Sequence, residues 1–162
     1  MAAPSDFPSL APRDQRLHHI HLVASDLLLR HGLPDWSVTF NRSKRMMGLC
    51  LYGPRTIQLS VYFVEQNGDE VVRDTLLHEI AHALVGPGHG HDADWKQKCE
   101  QIGAIPERLS FEVNMPEGRW QARCGQCGRL HHRHRRPKWM RGWYCCHCGK
   151  ERGQLAWAQI PA

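Results

Sequence analysis

Apolar residues recur at three- and four-residue intervals through Leu17, Ile20, Ala24, Leu27 and Leu28, the period of one helix face. Gly32 and Pro34 end that run. Three β-rich stretches follow, "WSVTF", "MMGLCLY" and "RTIQLSVYF", parted by "NRSKR" and "GP". Their β-branched and aromatic content, punctuated by turn residues, predicts a small antiparallel sheet. "NGDE" then opens a second helix, Val71 to Val85, whose Leu76, Leu77, Ile80, Ala81 and Leu84 are available to a core, and "GPGHG" breaks it. A third helix is expected over about Ala93 to Ile102. Residues 14–115 therefore read as one α+β domain, three helices packed on a small antiparallel sheet. Residues 1–13, proline-rich and poor in large apolar groups, read as a disordered tail. The composition changes after "NMPEG", so residues 119–152 read as a second unit and 153–162 as a C-terminal tail.

With 162 residues, 41% of them apolar, the chain can bury one real core and carry a small appendage. It shows neither a basic-then-apolar leader nor a continuous apolar run of about 18 residues. The expectation is a soluble intracellular protein with no membrane partner, in the cytoplasm or nucleoid, or in the nucleus if the source is eukaryotic. Seven cysteines are an odd number, and "CGQC" and "CCHC" suit zinc in a reducing compartment better than a disulfide framework. The formal net charge of +5 conceals an asymmetry. From Arg119 to Arg152, ten Lys/Arg stand against one acid, a net +9, while the rest of the chain sums to −4. Such concentration points to a polyanion partner.

"HEIAH" sets His78 and His82 one turn apart on one helix face, so both imidazoles can reach one ion, and Glu79 stands beside them as general base for a water. A catalytic zinc takes three protein ligands and keeps a position open. "GPGHGH" lets the chain turn back, offering His89 and His91, which spacing alone does not separate. Asp92 and Asp94 read as caps of the third helix. Cys124, Cys127, Cys145 and Cys148 give C-x2-C-x17-C-x2-C, the spacing of a zinc ribbon whose four thiolates close a structural site. Two zinc ions per chain are expected, one catalytic and one structural. Cys146 is spare and His147 solvent-facing, while Cys50 and Cys99 read as packing.

Between the two cysteine pairs, Arg129, Arg133, Arg135, Arg136, Lys138 and Arg141 alternate with Trp139, Trp143 and Tyr144. Cations neutralise phosphates and exposed aromatics stack on unpaired bases, so this stretch is the candidate nucleic-acid contact. At least one of its aromatics is expected in the ribbon core. His131, His132 and His134 read as a surface cluster.

"LLHEIAHALVG", a short loop and "HDADWK" together resemble the SprT-like zinc metallopeptidases, the family that includes the DNA–protein crosslink protease Spartan. "W-x-V-x-F" and "GLCLYGPRTIQLS" extend the resemblance upstream, and "GWYCCHCGK" is similar to the ribbon ending of that family, so it runs from about Leu17 to Arg152. The resemblance implies a zincin-like fold and makes His91 the third ligand, as the histidine of an HG-x-x-W/F segment. Asp92 stands here where glycine is usual, Trp95 is at the aromatic position, and His89 remains second choice. It further implies a monomeric zinc endopeptidase acting on DNA-associated proteins in DNA–protein crosslink repair, with single-stranded or junction-containing DNA and DNA-bound proteins as partners. Two rival readings are a ribbon-type nucleic-acid-binding protein with vestigial protease activity, against which Glu79 argues, and a zinc peptidase with no nucleic-acid role.

Overall fold

A computed structural model describes residues 11–107 and 113–161, which fall into two compact units divided between Met115 and Pro116. The first unit opens with α1 (Pro12–Arg30), with proline in its first turn, where the missing N–H costs nothing. Ile20, Ala24, Leu27 and Leu28 are its buried face. Of the expected N-terminal tail, residues 1–10 lie outside the described residues, whereas Pro12 and Arg13 belong to α1, and Arg13 pairs with Glu65 at 2.9 Å.

Three strands follow: β1 (Ser37–Asn41), β2 (Gly48–Leu51) and β3 (Thr56–Ser60). The expected antiparallel sheet is instead mixed, in the order β1-β3-β2, with β1 parallel to β3 and β2 antiparallel to it. β3 is the most buried strand and takes the centre, so β1 and β2, neighbours in sequence, occupy its two edges. The link between them passes the end of β3, where the Ser60 amide donates to Met47 O at 2.8 Å and its hydroxyl to Ser43 O at 2.5 Å.

The same Ser60 ends the third β-rich stretch earlier than its composition suggests. Its hydroxyl accepts the Phe63 amide at 3.4 Å and caps a short helix, α2 (Val61–Gln66). A short apolar run such as "VYFV" carries no periodicity that separates strand from buried helix. Among its described residues the unit thus has four helices where three were expected, completed by α3 (Asp69–Val85) and α4 (Ala93–Ile102). α3 packs against α1, α4, β2 and β3. Its Val72, Leu76, Leu77 and Ile80 are fully enclosed. Asn67, buried between α2 and α3, donates to Phe63 O and Asn114 O and accepts the Asn114 amide, tying the end of the unit to its core.

The second unit is small. β4 (Trp120–Arg123) pairs antiparallel with β5 (Leu130–Arg133) and with β8 (Ala158–Gln159), and β6 (Trp143–Tyr144) pairs with β7 (Gln154–Leu155). A four-residue helix, α5 (Gly149–Arg152), precedes β7. Of the stretch expected as a C-terminal tail, residues 154–159 are structural: they supply β7 and β8. Leu155 and Trp157 join Ala122, Cys124 and Cys145 in the core, because a unit this small has few apolar groups to bury and uses those at its end. Gly118 is fixed by close approach. A Cβ there would stand 2.3 Å from the Arg133 backbone carbon, and backbone cannot swing aside. No described helix is long and apolar enough to cross a membrane.

Candidate metal centres

In the first unit, α3 presents His78 and His82 on one face, with ring centroids 5.1 Å apart. His91 arrives from the loop just before α4, whose start is fixed by Asp92: Oδ1 accepts the Trp95 amide at 3.0 Å. Trp95 is fully buried, and its ring lies against all three imidazoles, with centroids 4.7, 5.3 and 4.6 Å from His78, His82 and His91. An aromatic wall of this kind orients all three rings at once.

The His78 and His91 Nε2 atoms are 3.0 Å apart, and one ring nitrogen from each of the three histidines falls in a group within 4.8 Å. Two nitrogens on one tetrahedral zinc stand roughly 3.3–3.4 Å apart, so the donor set fits a single ion with small adjustment. Burial, then the neighbouring imidazoles, press His78 down to about 3; burial, then His91, press His82 to about 4. Both rings are therefore neutral near pH 7, the form that binds metal. His89 does not join them. Its Nδ1 lies 2.8 Å from Asp92 Oδ2 and 3.6 Å from Asp94 Oδ2, in a separate solvent-facing group.

Glu79 is the one buried carboxyl among the described residues, 8% exposed. It sits against β2, where the Cys50 amide donates to its carboxylate, and burial raises it to about 7 despite that bond. A carboxyl poised there can both take and return a proton under neutral conditions. Gly48 makes the approach possible: a Cβ on it would stand 2.8 Å from Glu79 Oε1 and 2.9 Å from Cγ. Neither Gly48 nor the Cys50 amide was singled out from sequence. The available signal was a glycine opening a strand pattern, which marks close approach. The Cys50 thiol itself is pushed up to about 12 by burial and by Glu79, and does not join the histidines.

In the second unit the sulfurs of Cys124, Cys127, Cys145 and Cys148 all lie within 4.8 Å of one another. Cys127 Sγ and Cys145 Sγ are 3.7 Å apart, against the edge of roughly 3.8 Å for a tetrahedron with Zn–S of 2.3 Å. The two pairs repeat one turn: Gly128 N bonds Cys124 O and Gly149 N bonds Cys145 O, each at 2.9 Å. The amides of Cys127 and Gln126 lower Cys124 to about 7, and those of Cys148 and His147 do the same for Cys145. Hydrogen bonding to Cys127 raises Cys148, so the cluster resists losing its last protons until a cation is there to compensate. Cys146 and His147 face solvent outside it. The four cysteines fit a closed zinc site of ribbon type.

The proposed nucleic-acid residues are distributed unevenly. Arg129, Arg133, Arg135, Arg136, Lys138 and Arg141 are exposed, and Trp139 and Tyr144 show 67% and 51% of their surface. Trp143 does not belong with them. It packs edge-on against Trp157 at 6.1 Å, donates its indole N–H to Trp139 O at 2.7 Å, and carries the Arg133 guanidinium 4.4 Å above its ring. His131 also departs from the surface reading, since its Nε2 is buried.

A sequence model of the SprT-like family matches residues 17–116. The chain is similar to Protein SprT of Klebsiella pneumoniae (strain 342), 25% identical over 141 residues that cover 80% of this chain and 84% of that one. It is 22% identical over 142 residues to Protein SprT of Escherichia coli O1:K1 / APEC, covering 80% and 85%. To Protein SprT of Salmonella arizonae (strain ATCC BAA-731 / CDC346-86 / RSK2980) it is 24% identical over the same length and the same shares. No solved structure matches.

Proposed function

The chain belongs to the SprT-like family, and from that premise we propose that it is a zinc-dependent endopeptidase with a zincin-type catalytic unit, acting on proteins bound to DNA and serving DNA–protein crosslink repair. The observation that carries the peptidase reading is Glu79: a buried carboxyl raised to about 7, adjoining His78 in α3, where His78, His82 and His91 converge. His78, His82 and His91 would hold the catalytic zinc, and the four cysteines a structural one. When bound, the catalytic ion supplies Lewis-acid polarisation of a peptide carbonyl and lowers the pKa of water. Glu79 takes a proton from the attacking water and returns it to the departing amine, and a pKa near neutrality serves both steps. The Cys50 amide holds the carboxylate in place, and the Trp95 ring keeps the three imidazoles in position.

The DNA part of the reading rests on charge and exposure in the second unit. Trp139 and Tyr144 are exposed aromatics beside exposed cations, a combination suited to unpaired bases and their phosphates. A specific observation favours the rival in which the basic unit has no nucleic-acid role: Arg133, Arg136 and Lys138 lie over Trp143, Trp120 and Trp139, so part of the charge serves packing. One assay separates these readings. Cleavage of an unfolded protein substrate is measured with and without single-stranded DNA, for wild type and Glu79→Gln. Glu79→Gln is expected to retain zinc and lose cleavage by about 10²–10⁴-fold; near wild-type cleavage by that variant removes the mechanism. Wild-type cleavage and binding indifferent to DNA leave a zinc peptidase alone.

A further inference from the structure

Strand pairing draws His131 off the surface. It stands opposite Ala122 in the antiparallel register of β5 on β4, and directly paired residues project to the same face. That face of β4 carries Ala122 and belongs to the small core built around Cys124 and Cys145. His132, one residue on, is exposed, and its ring instead faces that of His134 at 6.4 Å. The His131 Nε2 is shut off from water and makes no hydrogen bond in the metal-free structure, to sulfur or to any other acceptor among the described residues. A buried ring nitrogen in that state is costly, so its surroundings call for an explanation. The core on that face is built around Cys124 and Cys145, and the Cys145 thiol, lowered first by the Cys148 and His147 amides, is lowered further by the His131 side chain.

We propose that His131 is an outer-sphere donor to the cysteine cluster: protonated on Nε2, it gives an N–H···S bond to the Cys145 thiolate when the four cysteines hold metal, and so governs how firmly the metal is kept. The inference rests on the ribbon reading given above. Four thiolates on one divalent ion leave excess negative charge on the sulfurs, and each N–H directed at them spreads that charge. The turn amides serve Cys124 and Cys145 alike, but His131 is a side-chain donor from outside the cluster and adds a bond at Cys145 alone. The metal thereby supplies what the buried nitrogen lacks, an anionic acceptor. Without the donor, the Cys145 thiolate becomes more basic, and protons or chelators compete for it more effectively. His131 is a positioning residue for the site, not a ligand of it.

The test uses the full chain loaded with cobalt, whose thiolate-to-metal charge-transfer band reports the cysteine site and not the histidine one. Decay of that band is followed after adding excess chelator. His131→Phe, which fills the volume without a donor, is expected to lose cobalt about 10–100 times faster than wild type, the usual cost of removing an outer-sphere partner. His131→Gln, which keeps an N–H at similar reach, should stay within a few-fold of wild type and show the band near its original position. A packing role alone predicts the reverse order, with the Phe variant retentive and the Gln variant leaky, and that result overturns the proposal. Should His131→Phe fail to fold, nitrogen-labelled wild type loaded with an NMR-active cadmium isotope gives the answer directly. Scalar coupling between the His131 Nε2–H and cadmium is expected, and its absence at full metal occupancy of the cysteines refutes the bond. Wild type that shows no thiolate charge-transfer band at all overturns the ribbon reading, and this inference with it.

Discussion

Gly48→Ala is expected to disable Glu79 without touching a metal ligand. The three atoms nearest to a Cβ at position 48 all belong to Glu79, at 2.8 Å for Oε1, 2.9 Å for Cγ and 3.1 Å for Cδ. Carbon–carbon contacts settle at about 3.5–4.0 Å, so Cγ must retreat by roughly 0.6–1 Å and carry the carboxylate with it. The retreat strains or breaks the bond from the Cys50 amide that holds the carboxylate. Misplacing a reacting group by about 1 Å can cost about 10²-fold in rate, and cleavage should fall by that order. Folding should survive. Gly48 does not occupy the left-handed region, so alanine fits its backbone, and the gain of about 0.4–1 kcal/mol from a stiffer unfolded chain opposes an overpacking cost of about 1–3 kcal/mol. The assay is kcat/KM on an unfolded protein substrate, with zinc content and thermal midpoint measured alongside. Introducing the same change into Glu79→Gln supplies the decisive comparison. If Gly48 acts through Glu79, the double variant is no worse than Glu79→Gln alone. Additive losses, or a single Gly48→Ala variant with wild-type kcat/KM, would refute the reasoning.

His91→Ala should lose the zinc of the histidine site, whereas His89→Ala should keep most of it, since His89 pairs with Asp92 and Asp94 instead; the reverse result in metal analysis reassigns the ligand. Trp139→Ala should weaken binding to single-stranded DNA by about 1–3 kcal/mol with the thermal midpoint unchanged, and Trp143→Ala should lower the midpoint because that ring is packed against Trp157; equal effects of the two on stability contradict this division. In metal-free protein, His78 and His82 have folded pKa values near 3 and 4 against an ordinary 6.5, so the unfolded chain takes up two protons that the fold refuses, and their contribution is lost as pH falls below about 6.5. Glu79 has the opposite sign: raised from 4.5 to about 7, it binds a proton more tightly when folded, and its contribution is lost as pH rises through about 7. The thermal midpoint of the metal-free catalytic unit should therefore peak between about pH 6 and 7, and a midpoint that keeps rising to pH 8 counts against buried Glu79.

Local chemistry in this chain was legible without coordinates. The four-residue spacing of His78 and His82 sets them on one helix face whatever the helix packs against, because helical geometry is fixed by the backbone. The cysteine pairs announced a four-sulfur cluster for the same reason: each Cys-x-x-Cys turn brings its own two sulfurs together, and the fold needs only to join the pairs. Asp92 was readable as a cap because its partner, the Trp95 amide, is three residues away. What the sequence left open was whatever depends on residues far apart in the chain. The central place of β3 was decided by burial on both its faces, and periodicity within a five-residue strand does not report which neighbours flank it. His89 and His91 have similar reach from the same loop, and the buried Trp95 together with the Asp92 cap selects between them. Gly48 and the Cys50 amide meet Glu79 across roughly thirty residues because β2 packs on α3, and nothing in "GLCLY" names that helix. His131 turns inward, and His132 outward, through the register of β5 on β4, where one residue of slip would exchange them. Ligand spacing is a property of the local backbone; the burial of Glu79 against Gly48, the convergence of His91 on His78 and His82, and the inward turn of His131 are properties of how elements pack, and the tertiary structure shows them.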